Sequence, residues 1–207
     1  MQLQVAIDRV SLEKAVSLAK QLDGVVPIIE MGTSLVKDYG FDGMVAMRKA
    51  INHSKLLIDL KTIDEGQYEF EQGFKAQADL LTVMGASSKA TLDTTYETAE
   101  NASGTMMIDL LEIDDAKIKL ISNYPNAVYL LHHSVDRADH IDVEQAVTDF
   151  TNQLPQVKHV AVAGGLDLQA VKQLAKQGKT EIVIVGSKII KSPDIIKSAK
   201  EFMEAIQ

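Results

Sequence analysis

The chain predicts an α/β protein, a single (β/α)8 TIM barrel, on three observations. Eight short apolar runs recur along the 207 residues, each followed by a stretch with helical patterning. The runs are nearly continuous in apolar residues, as in parallel strands covered on both faces. Most of them end in an acid, a histidine or paired small residues, whereas the segments between them carry the helix caps. Eight such units in this length are the barrel. A doubly wound open sheet is the structural alternative; it typically has fewer strands, and here the Gly-Gly turn follows the seventh run, not the first.

Taken in order, Leu3 to Ile7 reads as a strand ending at Asp8, and Ser11 as the N-cap of an amphipathic helix from Leu12 to Leu22. Val25 to Ile29 is the second strand, containing Pro27 and ending at Glu30; Gly32-Thr33 then opens a longer helical region through Met47. Leu56-Leu57-Ile58 is the third, running into Asp59-Leu60-Lys61-Thr62-Ile63-Asp64-Glu65-Gly66 and a helix from Gln67 to Gln77. The fourth, Asp79 to Met84, turns at Gly85 without a charge at its end, before a helix from Lys89 to Ala102. Thr105 to Ile108 ends at Asp109 and is followed by a helix across Asp114 to Ile121. Ala127 to Leu131 ends at His132-His133, with Val143 to Leu154 as its helix. His159 to Ala163 ends at Gly164-Gly165, and Asp167 caps a helix from Leu168 to Lys176. Glu181 to Val185 ends at Gly186-Ser187, and Pro193 starts the last helix, to about Ile206. One domain, 1–207, is expected.

Composition narrows the function. Hydrophobic content of 46% supplies a core, and a net charge of −8 with scattered basic residues leaves no footprint for nucleic acid or an anionic membrane. An anionic substrate must therefore be held locally. The absence of cysteine removes disulfides, thiol nucleophiles and zinc-thiolate sites. Nothing near Met1 reads as an export segment and no apolar run reaches membrane-spanning length, so a cytoplasmic protein is expected.

Barrel chemistry gathers at the C-terminal strand ends, which here carry Asp8, Glu30, Asp59 with Lys61, Asp109, His132, Gly164-Gly165 and Gly186-Ser187. Alternation places Asp59 and Lys61 on one face, where each shifts the other's ionisation; the bland reading is a surface ion pair. Glu30 and Asp59, on neighbouring strands, make a pair of hard oxygen ligands for Mg²⁺, or else two repelling carboxylates relieved by Lys61. The glycine turns after strands seven and eight form a backbone anion site at the fold's usual phosphate position, although glycine also serves tight turns; Lys188 adds charge there or is solvated. His132-His133 is not a zinc pair, since adjacent histidines point apart; one histidine near carboxylates suits proton transfer. His53, His140 and His159 read as surface or structural, and the methionines as core filler.

The Asp59-x-Lys61-x-x-Asp64 triplet resembles the signature of the orotidine 5'-monophosphate decarboxylase suprafamily. Asp59-Leu60-Lys61-Thr62-Ile63-Asp64-Glu65-Gly66 looks most like hexulose-6-phosphate synthase and 3-keto-L-gulonate 6-phosphate decarboxylase, and the likeness extends from Leu3 to Asp8 through Ile29 to Thr33, Val162 to Leu166 and Val185 to Ser187. The resemblance implies a barrel of the ribulose-phosphate-binding type. It also implies Mg²⁺ on Glu30 and Asp59, Lys61 as stabiliser of an enediolate, Asp64 entering the partner subunit's site in a homodimer, and Asp8, Asp109, His132 and Asp136 as further pocket positions. The decarboxylase typically has His-Arg-Ser-Arg-Asp after strand six, Thr before the Gly-Gly turn and Arg after the last strand; this chain has His132-His133-Ser134-Val135-Asp136, Ala163 and Ser187. The synthase usually continues His-Thr-Gly-x-Asp-x-Gln-Ala-Ala-Gly, so Arg137-Ala138-Asp139-His140 departs from it too.

The implied activity is a Mg²⁺-dependent aldehyde-lyase that adds formaldehyde to ribulose 5-phosphate, with decarboxylation of 3-keto-L-gulonate 6-phosphate as the alternative. His132, or an acid such as Asp64, would carry the proton. A non-catalytic sugar-phosphate binder has no reason to keep Glu30 with the full triplet. A ketopentose-phosphate epimerase would have histidines where Glu30 and Asp59 stand.

Overall fold

The computed structural model describes residues 1–134 and 142–207. Its eight strands, β1 (Gln2–Ile7), β2 (Ile28–Met31), β3 (Lys55–Thr62), β4 (Leu80–Met84), β5 (Thr105–Asp109), β6 (Val128–His132), β7 (Val160–Ala163) and β8 (Ile182–Val185), pair in parallel in chain order. β8 returns to β1, Leu3 opposite Val183, and closes the barrel. The helices alternate with the strands: α1 (Leu12–Leu22), α2 (Thr33–Ala50), α3 (Gly66–Lys75), α4 (Lys89–Asn101), α5 (Asp115–Leu120), α6 (Val143–Gln153), α7 (Leu168–Gln177), α8 (Ser187–Ile190) and α9 (Ile195–Ala205). The predicted (β/α)8 barrel is the observed one. No described helix is long and apolar enough to cross a membrane.

Strand alternation divides the core in two. One set of residues faces the helices, from Leu3, Val5 and Ile7 round to Val183 and Val185. The other fills the barrel's interior, with Ile28, Leu57, Leu80, Met107, Leu130 and Ile184 among its members. Two residues beyond an interior position lies another interior position. Glu30, Asp59, Thr82, Asp109 and His132 stand two residues after Ile28, Leu57, Leu80, Met107 and Leu130, so the same parity that builds the apolar plug delivers polar groups above it.

Four boundaries differ from expectation for identifiable reasons. Val25 and Val26 finish the α1 turn, both bonding back to Leu22 O, so β2 starts after Pro27, whose carbonyl accepts from Lys55 N. β3 does not stop at Asp59 but runs to Thr62, across a shift in its register with β4. Ser187–Ile190 is a short extra helix, and α9 begins after Asp194, whose side chain accepts from Lys197 N; Pro193 precedes the cap and does not start the helix. The region after Thr33 is a helix broken at Gly40, which has φ 52°. Ser11, Asp114 and Asp167 each cap a helix by accepting a backbone N–H three residues on.

Candidate active site

A connected set of charges lies at the C-terminal ends of β2 to β6. Lys61 Nζ sits 2.6 Å from Asp109 Oδ2 and 3.3 Å from Asp59 Oδ2. Asp109 Oδ2 is also 2.9 Å from His132 Nδ1, while Asp109 Oδ1 accepts from Leu111 N at 3.0 Å. Strands three, five and six thus contribute one unbroken chain, Asp59 to Lys61 to Asp109 to His132.

The electrostatics follow from burial and partners. Burial opposes the charge on Asp109, yet the His132 hydrogen bond and the Lys61 ammonium outweigh it and hold the carboxyl below the usual range. Burial likewise works against the Lys61 ammonium, and Asp59 and Asp109 overcome it, so its pKa is raised above the ordinary lysine value. An ionised Asp109 only accepts, so His132 Nδ1 carries the hydrogen of their bond, which leaves Nε2 to take or deliver a proton.

Glu30 behaves differently. Burial, and next the charge of Asp59, push its carboxyl from 4.5 up to about 8, although Gln4 Nε2 donates to its Oε2 at 2.5 Å. Asp59 is held on both oxygens, Oδ1 by Thr82 Oγ1 at 2.7 Å and Oδ2 by the Thr33 hydroxyl. Among the described residues no three His, Cys, Asp or Glu side chains cluster as a metal cage. Two carboxylates suffice for Mg²⁺, which keeps water or substrate oxygens for the rest of its shell. A pair in which burial, and next mutual repulsion, drives one member towards protonation is a donor set that a divalent cation would relieve, so the residues fit the ion.

Asp8 accepts from Ser34 N at 3.1 Å and from the Ser34 hydroxyl, which ties the end of β1 to the start of α2. The other pole of the mouth is backbone. Gly164 and Gly165 have φ 117° and 65°; a Cβ on Gly164 would meet His133 O at 2.5 Å, whereas one on Gly165 would meet nothing within 4 Å. Gly186 precedes the α8 turn that Ser187 opens. Asp64 stands exposed in the turn between β3 and α3 and takes no part in the charged chain. Asp136 lies outside the described residues, as do Arg137 to His140. His159, at the opposite end of the barrel, pairs with Glu181 at 2.6 Å.

A family model described as orotidine 5'-phosphate decarboxylase / HUMPS family matches residues 1–202. The chain belongs to this family. Its relatives include the 3-hexulose-6-phosphate synthase of Bacillus subtilis (strain 168), 29% identical over 209 residues that cover 100% of this chain and 99% of the relative. The synthase of Staphylococcus haemolyticus (strain JCSC1435) is 29% identical over 213 residues, with the same coverage. Among solved structures, 3-hexulose-6-phosphate synthase from Salmonella typhimurium superposes with a TM-score of 0.91 at 28% identity, covering 100% of this chain and 98% of that one. KGPDC from Streptococcus mutans shares the fold, with a TM-score of 0.89 at 20% identity over 99% of this chain and 96% of its own. The relatives support an enzyme of the lyase type.

Sequence reasoning missed three residues that shape the site of this orotidine 5'-phosphate decarboxylase / HUMPS-family barrel. Gln4, Thr33 and Thr82 are uncharged and so do not stand out among strand ends, yet each donates to Glu30 or Asp59. Parity was the available signal for two of them: Gln4 is two residues before Ala6, and Thr82 two after Leu80, both interior positions.

Proposed function

We propose that this chain is a cytoplasmic 3-hexulose-6-phosphate synthase-like aldehyde-lyase that reversibly joins formaldehyde to D-ribulose 5-phosphate. The observation that carries the reading is the Lys61 ammonium held between Asp59 and Asp109 at the barrel mouth, in a chain whose full-length relatives bear that synthase's name. Proton removal from C1 of the ketose phosphate leaves a 1,2-enediolate. C1 then attacks the formaldehyde carbon, and the former aldehyde oxygen takes a proton to become the new hydroxyl.

Lys61 supplies a fixed positive charge beside the developing enediolate, already in place before charge appears and so without reorganisation at that moment. His132, oriented through Nδ1 by Asp109, moves the proton at Nε2, with Asp64 as the alternative carrier. Asp8 and Asp136 would meet hydroxyls of the sugar, and the backbone of Gly164, Gly165, Gly186 and Ser187 its phosphate. Glu30 and Asp59 would hold Mg²⁺, whose chemistry is Lewis-acid polarisation of substrate oxygens.

The active unit in this reading is a homodimer with Asp64 donated across the interface. Ile63 is 54% exposed and Tyr68 61%, and these large apolar side chains bracket the exposed Asp64; such a patch beside an unused acid is what a partner would cover. Co-expressing Lys61→Ala with Asp64→Ala tests it. With shared sites a mixed dimer holds one doubly damaged and one intact site, so about half the activity per heterodimer should return. Verified heterodimers as inactive as their parents would count against sharing.

The reaction is tested by offering purified protein formaldehyde with ribulose 5-phosphate beside 3-keto-L-gulonate 6-phosphate, following formaldehyde consumption and CO₂ release, with and without EDTA. The reading expects formaldehyde consumption that EDTA abolishes and Mg²⁺ restores. CO₂ release alone would replace it with the decarboxylase.

A further inference from the structure

The hydroxyl of Thr82 is where two of the acting residues meet a neighbouring strand. Thr82 is buried in the middle of β4, at an interior position. Its Oγ1 donates to Asp59 Oδ1 at 2.7 Å and accepts from the backbone N–H of Lys61 at 2.9 Å. An N–H can only donate and an ionised carboxylate only accepts, so the hydroxyl has one polarity open to it and bridges the two residues in that sense alone.

The bridge occurs where the backbone is irregular. The β3 to β4 register shifts between Ile58 and Thr62, and Lys61 has φ 49°, a left-handed conformation that an L side chain adopts only when its surroundings impose it. The Thr82 hydroxyl there serves the Lys61 N–H in place of a strand carbonyl. The same atom that accepts from the strained lysine fixes the carboxylate beside its ammonium. We propose that Thr82 is a positioning residue, which sets the Lys61 backbone and the Asp59 carboxylate in one geometry for the chemistry. This rests on the roles given above to Lys61 and Asp59.

The test compares Thr82→Val, which keeps the shape and loses the hydroxyl, with Thr82→Ser, which keeps the hydroxyl. Three readouts are taken: kcat and KM, Mn²⁺ titration of substrate-free protein, and hydrogen exchange at the Lys61 amide. For a Thr82→Val protein that still unfolds cooperatively, kcat and Mn²⁺ affinity should each fall about 10–100-fold. Its KM should stay within about threefold, because phosphate is gripped at the other pole. The Lys61 amide should exchange at least about tenfold faster than in wild type, and Thr82→Ser should restore all three readouts.

A folded Thr82→Val with wild-type kcat and wild-type exchange at Lys61 would overturn the proposal, and so would a Thr82→Ser as damaged as the valine variant. If the valine variant does not fold, Thr82→Ala takes its place in the comparison. Exchange in the wild type reads the bond without substitution: a Lys61 amide no slower than that of exposed Ile63 would also overturn it. Should the wild type lack lyase activity, the functional reading fails by itself, while exchange at Lys61 still decides whether Thr82 holds it.

Discussion

The two sides of the barrel mouth are built from different materials. Along β2 to β6 the site consists of side chains: Glu30, Asp59, Lys61, Asp109 and His132, linked by hydrogen bonds and opposed charges. At β7 and β8 it consists of backbone, with two glycines at positive φ and a four-residue helix after Gly186. In the proposed reading the first side creates and moves charge, and the second receives it through backbone N–H groups, which never titrate. A carbanion chemistry needs the former, and a phosphate that must be gripped identically in substrate and product is served by the latter.

If the two sides divide labour in this way, damage to one should change kcat and damage to the other KM. The largest effect is expected at Lys61. Lys61→Ala should lower kcat by about 10²–10³-fold, with KM for the sugar phosphate little changed. It should also lower the thermal midpoint, since Asp59 and Asp109 are left facing each other's charge without a counter-ion. Steady-state kinetics beside a melting curve checks both, and a rise in KM matching the loss in kcat would break the division.

Next comes the carboxylate pair. Asp59→Asn keeps the shape and one acceptor oxygen for Thr82, but puts an NH2 where Oδ2 accepts from Thr33 and removes the charge, and should weaken Mg²⁺ about 10–100-fold in a titration of activity against free metal. Saturating Mg²⁺ should recover part of the rate. A variant with unchanged metal dependence would take Asp59 out of the metal site.

At the backbone pole the effect is smaller and falls on the other constant. Gly186 has a φ of −106°, outside the left-handed region, and a Cβ there would come no closer than 3.4 Å, to Ala6 O. Gly186→Ala should therefore fold normally and raise KM about tenfold with kcat preserved. An unchanged KM in the folded variant would move the phosphate away from the glycine turns. Gly165→Ala sharpens the comparison, because its φ of 65° adds about 1–2 kcal/mol of instability that Gly186→Ala lacks.

The smallest effect is on stability against pH without metal. Glu30 keeps its proton up to about pH 8 in the folded chain but loses it near 4.5 when ordinary and exposed. Between those values the folded state holds one more proton than the unfolded state, so stability present at acid pH is lost as pH rises through this window. In EDTA the melting point should decline from about pH 5 to 8, and Glu30→Gln should flatten that decline. Asp109, held low, works in the opposite direction: its contribution is present at neutral pH and is lost only as acid protonates it, below the Glu30 window. Equal slopes for wild type and Glu30→Gln would remove Glu30 as the source.

Composition and periodicity were enough to count eight strands, to choose the barrel over an open sheet, and to place Glu30, Asp109 and His132 at strand ends, because a buried parallel strand has to be apolar and a change to charge marks where it meets solvent. Local chemistry also specified Ser11 and Asp167 as caps, since a cap reads only three residues ahead, whereas Asp114, expected within its helix, turns out to be the cap. Tertiary structure alone decided the rest. That Lys61 serves Asp109 more closely than its sequence neighbour Asp59 depends on strands 48 residues apart in the chain. The extension of β3 to Thr62 depends on a register shift against β4, and the importance of Thr82 on lying across from that shift. A threonine in a strand is ordinary by propensity; it becomes specific only when closure of the sheet puts its hydroxyl between an acid and a strained lysine, which no local pattern encodes.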